Sequence, residues 1–160
     1  MHNLHLLLQR FADARLDFVV VGGYAGVLHG SSLVTNDLDI CAVLSPENIA
    51  KLRTVLADLH PVHRMTPQKL SFLEHPAATA AAANLHLETD GGIVDVLSTI
   101  LGIGDYARLS RSAVEIPLFG RKCHVISLED LIVAKEAVGR EKDLLAAKEL
   151  KAIAAKRAQG

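Results

Sequence analysis

Three aspartates of this chain lie within apolar segments, where an ionised carboxylate is costly to bury. Asp37 and Asp39 stand one residue apart near the start of one apolar run, and Asp95 lies within a second run, IVDVL. Because side chains alternate across a strand, the spacing of Asp37 and Asp39 places both carboxylates on the same face. If the two runs form neighbouring strands, all three carboxylates meet on one face of a sheet.

Such a cluster needs a cation, because adjacent carboxylates repel each other and resist desolvation. Hard divalent ions prefer oxygen ligands, so the cluster favours Mg²⁺ or Mn²⁺. In nucleotidyl transfer by two ions, one activates the attacking hydroxyl and the other neutralises the phosphates. We therefore expect Asp37 and Asp39 to bind both ions, and Asp95 to complete the metal site and act as general base. The alternatives are a turn residue for Asp37 and a solvent-facing edge-strand residue for Asp95.

A glycine pair precedes these aspartates. Gly22 and Gly23 follow the apolar run FVVV, and thirteen residues separate Gly23 from Asp37. Glycines let the backbone approach a phosphate closely, and a helix that begins there directs free N–H groups toward it. Ser31 and Thr35 are candidate hydroxyl donors to the same group. The competing explanation for the glycines is a tight turn from strand to helix.

These motifs resemble the signature of the polymerase-beta-like nucleotidyltransferase superfamily. The signature is carried by Val21-Gly22-Gly23, the thirteen-residue spacing and Asp37-Leu38-Asp39-Ile40, and Asp95 stands where the family places its third carboxylate. Further positions resemble a small bacterial branch that includes abortive-infection toxins and stand-alone nucleotidyltransferases: His29, Gly30, Thr35, Ser127, Asp130, Lys135, Gly139, Arg140, Lys142 and Asp143. The resemblance covers most of residues 15–150.

The resemblance implies a mixed sheet with flanking helices, two bound metal ions and transfer of a nucleoside monophosphate from an NTP to an acceptor. Gly22 and Gly23 would line the triphosphate, and Asp95 would also help to deprotonate the acceptor. Lys135 would reach the triphosphate, and Arg140 would steer the donor or the acceptor. The alternative is that Lys135, Arg140 and Lys142 form a solvated helix face with Glu136, Glu141 and Asp143, in which Glu136 and Arg140 stand four residues apart.

The acceptor is left open between a tRNA or other RNA, a protein and a small molecule. One departure from the branch is Leu33, which stands roughly where a basic residue usually precedes the aspartates. A second hypothesis is therefore a non-catalytic nucleotide-sensing or protein-binding module, such as one component of a toxin–antitoxin pair with a partner protein. The absence of an added substrate-binding domain in this short chain also favours that hypothesis.

Composition bounds these hypotheses. The chain has 160 residues, 50% of them hydrophobic, and a formal net charge of −1, which indicates a globular protein and a single domain over residues 1–160. The near-neutral charge gives no global sign of nucleic-acid or membrane binding. No apolar run approaches the roughly 20 residues of a membrane span, no signal peptide is evident, and the two cysteines indicate buried thiols. We expect a cytoplasmic protein.

Apolar periodicity predicts an α/β (α+β) fold, with a mixed sheet and flanking helices. The predicted helices cover residues 3–15, 23–29, 46–59, a short segment within 102–110, a helix from 128 that Gly139 ends, and 140–156. The predicted strands cover residues 17–21, 38–44, 84–89, 93–98, 114–119 and 122–126. Residues 77–83 are rich in alanine and are compatible with either element.

Overall fold

The structure is a computed structural model that describes residues 3–160. Its helices are α1 (Leu4–Asp13), α2 (Gly22–Leu28), α3 (Pro46–Leu56), α4 (Tyr106–Ser112), α5 (Leu128–Val138) and α6 (Glu141–Gln159), with a 3₁₀ turn at Ala57–Leu59. Its strands are β1 (Val19–Val21), β2 (Asp37–Cys41), β3 (Val62–His63), β4 (Asn84–Thr89), β5 (Gly92–Leu97), β6 (Thr99–Ile100), β7 (Gly104–Asp105), β8 (Val114–Leu118) and β9 (Arg121–Val125).

Seven strands form one mixed sheet in the order β3-β4-β5-β2-β1-β9-β8, and β6 pairs with β7 separately. β2 runs parallel to β5 and antiparallel to β1, and β1 runs parallel to β9. The two strands that carry the aspartates, β2 and β5, are therefore central and adjacent. The mixed sheet with its helices confirms the predicted fold class.

Alternation along the central strands separates an apolar face from a polar one. Leu38 and Ile40 of β2, with Val94 and Val96 of β5, are fully buried and join the hydrophobic core. The apolar stripes of α1 and α3 belong to the same core: Leu7, Leu8, Phe11, Ile49, Leu52 and Leu56. Since neighbouring side chains alternate, the aspartates of both strands point to the opposite face.

Helices α5 and α6 pack against each other, and α5 also contacts α2. Ser127 begins α5, because its hydroxyl accepts a hydrogen bond from the backbone N–H of Asp130 (3.1 Å). Gly139 ends α5 in the left-handed conformation, with φ of 72°. The predicted helix start and break are both confirmed. Within residues 3–160, no helix is both long and apolar enough to cross a membrane.

The structure differs from the predicted elements in several places. β2 ends at Cys41, short of the predicted Leu44, and its parallel partner β5 ends at the paired residue Leu97. The alanine-rich segment 77–83 forms neither helix nor strand. The backbone N–H of Ala82 donates instead to the Leu44 carbonyl (3.2 Å), so a tertiary contact prevails over the high helical propensity of alanine. The small hairpin of β6 and β7 was not predicted, since each strand has only two residues.

Candidate active site

The centre of the sheet brings Asp39 and Asp95 together. Asp39 lies directly opposite Asp95 in the parallel pairing of β2 with β5, and Asp37 lies two residues before Asp39 on the same face. The condition for a cluster of the three carboxylates, that the two aspartate-bearing strands are neighbours, is therefore met. On the other side of β2, Asp39 is paired with Val21, which immediately precedes the glycine pair.

A cavity of about 520 Å³ lies over this face of the sheet. It brings together eight of the nine residues predicted from the sequence: Gly23, Ser31, Thr35, Asp37, Asp39, Asp95, Lys135 and Arg140. Gly22, the ninth, lines an adjoining cavity of about 310 Å³ that also touches Asp39, Lys135 and Arg140. The walls of this second cavity are mostly apolar and come from β5, β6 and α5.

Asp39 is the carboxylate whose charge is least compensated. Burial, the largest cause, and the neighbouring charges of Asp95 and Asp37 together raise the pKa of Asp39 to about 7. The opposing charges of Lys135 and Arg64 lower the pKa of Asp39 only in part. Among residues 3–160, the side chains of Asp37 and Asp39 form no hydrogen bond or ion pair. The ionised form of this pair therefore calls for a cation in the cavity.

The donor set fits a hard divalent ion at Asp37 and Asp39, because both carboxylates face the cavity and neither has a partner among the residues that the structure describes. Asp95 differs, since both of its oxygens already have partners. Its Oδ2 accepts a hydrogen bond from Arg64 Nη2 (2.8 Å), and its Oδ1 lies 3.2 Å from His86 Nδ1. Across residues 3–160, no three His, Cys, Asp or Glu side chains are grouped so that they could hold one metal ion. The role of Asp95 as a metal ligand thus stays a prediction.

The two glycines have different surroundings. Gly22 adopts a left-handed φ of 68°, and a Cβ there would overlap Oδ2 of Asp39 and lie 3.0 Å from its Cβ. A Cβ at Gly23 would lie 3.1 Å from Thr35 Oγ1. Gly22 therefore permits the close approach of the backbone to Asp39, and Gly23 is the glycine that faces the large cavity.

The cations at the end of α5 are organised by Asp143, whose side chain is only 3% exposed. Its carboxylate accepts a hydrogen bond from Arg140 Nε (2.6 Å) and lies 3.8 Å from Lys135 Nζ. The alternative prediction is met in part, since Arg140 pairs with Asp143 as that alternative included, but Glu136 bonds to Lys151 on α6 (2.8 Å) and not to Arg140. The break at Gly139 turns Arg140 away from the face of α5 that carries Glu136.

The loop after α2 is held by a carboxylate from α6. Ser31 Oγ donates to Glu149 Oε1 (2.5 Å), and Ser32 Oγ donates to Glu149 Oε2 (2.6 Å). The backbone N–H of Ser32 also points to Glu149 Oε2 (3.2 Å). Ser31 lines the cavity, but in this structure its hydroxyl binds a protein carboxylate. Thr35 faces the cavity from the start of the aspartate segment.

Arg64 and His86 are the site residues that the sequence did not reveal. His86 lies directly opposite Asp95 in the pairing of β4 with β5. Arg64 follows the two-residue strand β3, and its backbone N–H donates to the carbonyl of His86 (3.0 Å). No motif marks either residue. The alternation of Leu85 and Leu87 toward the core places His86 on the polar face, but a strand as short as β3 leaves no periodic signal for Arg64.

No protein-family profile matches the sequence, and no curated protein matches it. Solved structures do match. The lincosamide antibiotic adenylyltransferase LnuA, solved with lincomycin bound, is 20% identical over 94% of this chain and 95% of LnuA, with a TM-score of 0.63. A nucleotidyltransferase candidate from Thermotoga maritima is 18% identical over 91% of this chain and 88% of its own, with a TM-score of 0.56. ANT(2'')-Ia, solved in complex with adenylyl-2''-tobramycin, is 15% identical over 93% and 95%, with a TM-score of 0.50.

These likenesses extend over nearly the whole of each chain, and at such identities they establish the fold. In this chain, the paired aspartates lie at the centre of the sheet, and the glycines follow the end of β1. The chain has the polymerase-beta-like nucleotidyltransferase fold, as its glycine and aspartate motifs implied.

Proposed function

We propose that this protein is a metal-dependent nucleotidyltransferase that transfers a nucleoside monophosphate from an NTP to a hydroxyl group of a small molecule. The observation that carries the proposal is the position of Asp37 and Asp39. Both carboxylates lack a protein partner among the described residues, and both face a cavity that also holds the cations Lys135 and Arg140. Carboxylates and cations facing one cavity suit a metal-bound polyphosphate.

Asp37 and Asp39 would hold a divalent cation, Mg²⁺ or Mn²⁺. When bound, that ion supplies positive charge that offsets the carboxylates and the phosphates. Lys135 and Arg140 would bind phosphate oxygens, and Asp143 keeps both cations at the cavity wall. In the transfer, the acceptor oxygen bonds to the α-phosphorus, the bond from that phosphorus to the bridging oxygen breaks, and pyrophosphate leaves. Asp95 would take the proton from the acceptor hydroxyl.

Four observations support a small-molecule acceptor over an RNA or a protein. The two adjoining cavities have volumes of about 520 and 310 Å³, which lie within the usual range for small-ligand sites. The second cavity offers an apolar wall beside Asp39. The net charge of −1 provides no broad positive field for a nucleic acid. LnuA and ANT(2'')-Ia, which have this fold, are solved with lincomycin and with adenylylated tobramycin respectively.

The test is transfer from each α-³²P-labelled NTP with Mg²⁺ or Mn²⁺. Acceptors are offered as hydroxylated antibiotics, as a small-metabolite fraction, and as total RNA and protein from a cell extract. Thin-layer chromatography separates small labelled products, and gels separate labelled macromolecules. We expect a small labelled product that the Asp39→Asn variant does not form.

Label in an RNA or protein band that depends on Asp39 would retain the transfer reaction but overturn the small-molecule acceptor. Product formed equally by the Asp39→Asn variant would overturn the assigned site. If no NTP gives a product and none stabilises the protein against heat, the second hypothesis, a non-catalytic module of the same fold, is favoured.

A further inference from the structure

The guanidinium of Arg64 lies within the carboxylate cluster itself. Its Nη2 donates to Asp95 Oδ2 at 2.8 Å, and the Arg64 and Asp95 side chains are only 21% and 14% exposed. Arg64 also lines the large cavity and acts on Asp39 as an opposing charge. It is therefore a cation of the site, positioned on the Asp95 side, across the aspartates from Lys135.

The position of Arg64 is set by the backbone as well as by its side chain. Its N–H bonds to the carbonyl of His86, whose ring nitrogen lies 3.2 Å from the second oxygen of Asp95. The Arg64 Nη1 atom is also buried, and it has no hydrogen-bond partner among the described residues. Such an unpaired donor is costly, so the packing holds Arg64 here at the expense of one hydrogen bond.

The position of Arg64 beside Asp95 balances part of the negative charge of the three aspartates. Asp37, Asp39 and Asp95 carry three negative charges when ionised, and Arg64 offsets one of them directly at Asp95. A single divalent ion at Asp37 and Asp39 would neutralise the remainder. A further divalent ion beside Asp95 would lie next to a guanidinium and would have to share carboxylate oxygens that Arg64 and His86 already use.

We propose that Arg64 supplies at Asp95 the positive charge that a second metal ion would otherwise supply, so that this site operates with one divalent cation, held by Asp37 and Asp39. Arg64 is thus a positioning residue for Asp95. The inference rests on the proposed function, because it concerns the metal ions of that same site.

The test counts Mn²⁺ ions in the complex with a non-hydrolysable donor. The full chain is loaded with the α,β-methylene analogue of ATP, GTP, CTP or UTP and with Mn²⁺, freed of unbound ions, and examined by metal analysis and electron paramagnetic resonance. Two Mn²⁺ ions about 3.5–4 Å apart, the usual separation in two-metal sites, give a spin-coupled spectrum. We expect one ion and an uncoupled spectrum for the wild type, and two ions with a coupled spectrum for Arg64→Gln.

Two further variants control the interpretation. Arg64→Lys keeps the charge and should keep one ion. Arg108→Gln also removes an arginine–aspartate pair, because Arg108 donates two hydrogen bonds to Asp130 (both 3.1 Å), but this pair lies away from the cavity. The Arg108→Gln variant should therefore keep one ion.

Two ions in the wild type would overturn the inference and leave the proposed function standing, and this count does not depend on how well Arg64→Gln folds. A folded Arg64→Gln variant with one ion would overturn it too. Failure of the wild type to bind Mn²⁺ with any of the four analogues would instead overturn the proposed function itself.

Discussion

At the scale of single residues, the ionised form of Asp39 is disfavoured by burial and by neighbouring negative charges. Burial and the charges of Asp95 and Asp37 raise its pKa to about 7, against an ordinary value of 3.8. A folded state with a raised carboxyl pKa binds more protons than the unfolded state between those two pH values, so stability falls as pH rises through that window. The protein without metal thus gives up part of its stability to keep this carboxylate in place.

The Asp39→Asn variant should remove this pH dependence. Between about pH 5 and pH 8, with EDTA present, we expect the wild type to lose roughly 2–3 kcal/mol of unfolding free energy relative to Asp39→Asn. Urea unfolding at both pH values measures the difference, and the variant cancels the titration of all other groups. An equal pH dependence of the two proteins would show that the Asp39 carboxyl has an ordinary pKa.

Gly22 is the residue on which the geometry of Asp39 depends. Gly22→Ala should cost about 1–2 kcal/mol through its left-handed φ, and the added methyl should displace the Asp39 side chain and abolish transfer. Gly120→Ala is the matched control, because Gly120 is also left-handed (φ of 75°) and a methyl added there meets nothing within 4 Å. Enzyme assays with urea unfolding separate the two effects. Retention of full activity by Gly22→Ala would contradict the assigned contact.

At the scale of elements, the corner between α5 and α6 brings two positively charged side chains, Lys135 and Arg140, close together. The left-handed Gly139 ends α5, and the buried Asp143 at the start of α6 then holds Arg140 and Lys135 together. Neither helix alone would place these charges side by side. The corner is also the point at which α6 continues across the cavity to Glu149, which binds the Ser31 hydroxyl.

Lys135→Met should weaken NTP binding about tenfold, which corresponds to about 1.4 kcal/mol, because it removes a partly buried cation from the cavity wall. Lys151→Met is the matched control, since Lys151 pairs with Glu136 at 2.8 Å on the solvent side of the same helix pair. Isothermal titration with α,β-methylene NTP and Mg²⁺ measures both affinities. Equal affinities for the two variants would place the triphosphate elsewhere.

At the scale of the whole molecule, the parts that follow simple periodicity could be predicted from the sequence. The central strands follow from alternation and the helix from Leu128 follows from its cap, whereas the adjacency of Asp39 and Asp95 could be stated only as a condition. The contacts of Arg64 and Glu149 could not be predicted, because each joins segments far apart in the chain through one side chain. The absence of a basic residue at Leu33 is visible in the sequence. The contact of Arg64, which follows β3, with Asp95 is not.

Binding of a donor to the assembled cavity should stabilise the entire fold. At a concentration 100 times the dissociation constant, an NTP analogue with Mg²⁺ should add about 2.7 kcal/mol to the unfolding free energy. Thermal unfolding with each of the four analogues measures this gain, and the Asp39→Asn variant should lose most of it. Stabilisation of the variant to the same degree would show that binding occurs without the aspartates.

The long irregular segment between β3 and β4, residues 64–83, has a consequence for how such a protein can change over time. It begins at Arg64, which lies beside Asp95, the proposed general base, whereas Asp39 is fixed by hydrogen-bonded strands on both sides. Surface loops tolerate insertion and substitution far better than central strands. New acceptor preferences can therefore arise by remodelling this segment, while the chemistry at the sheet centre is inherited unchanged.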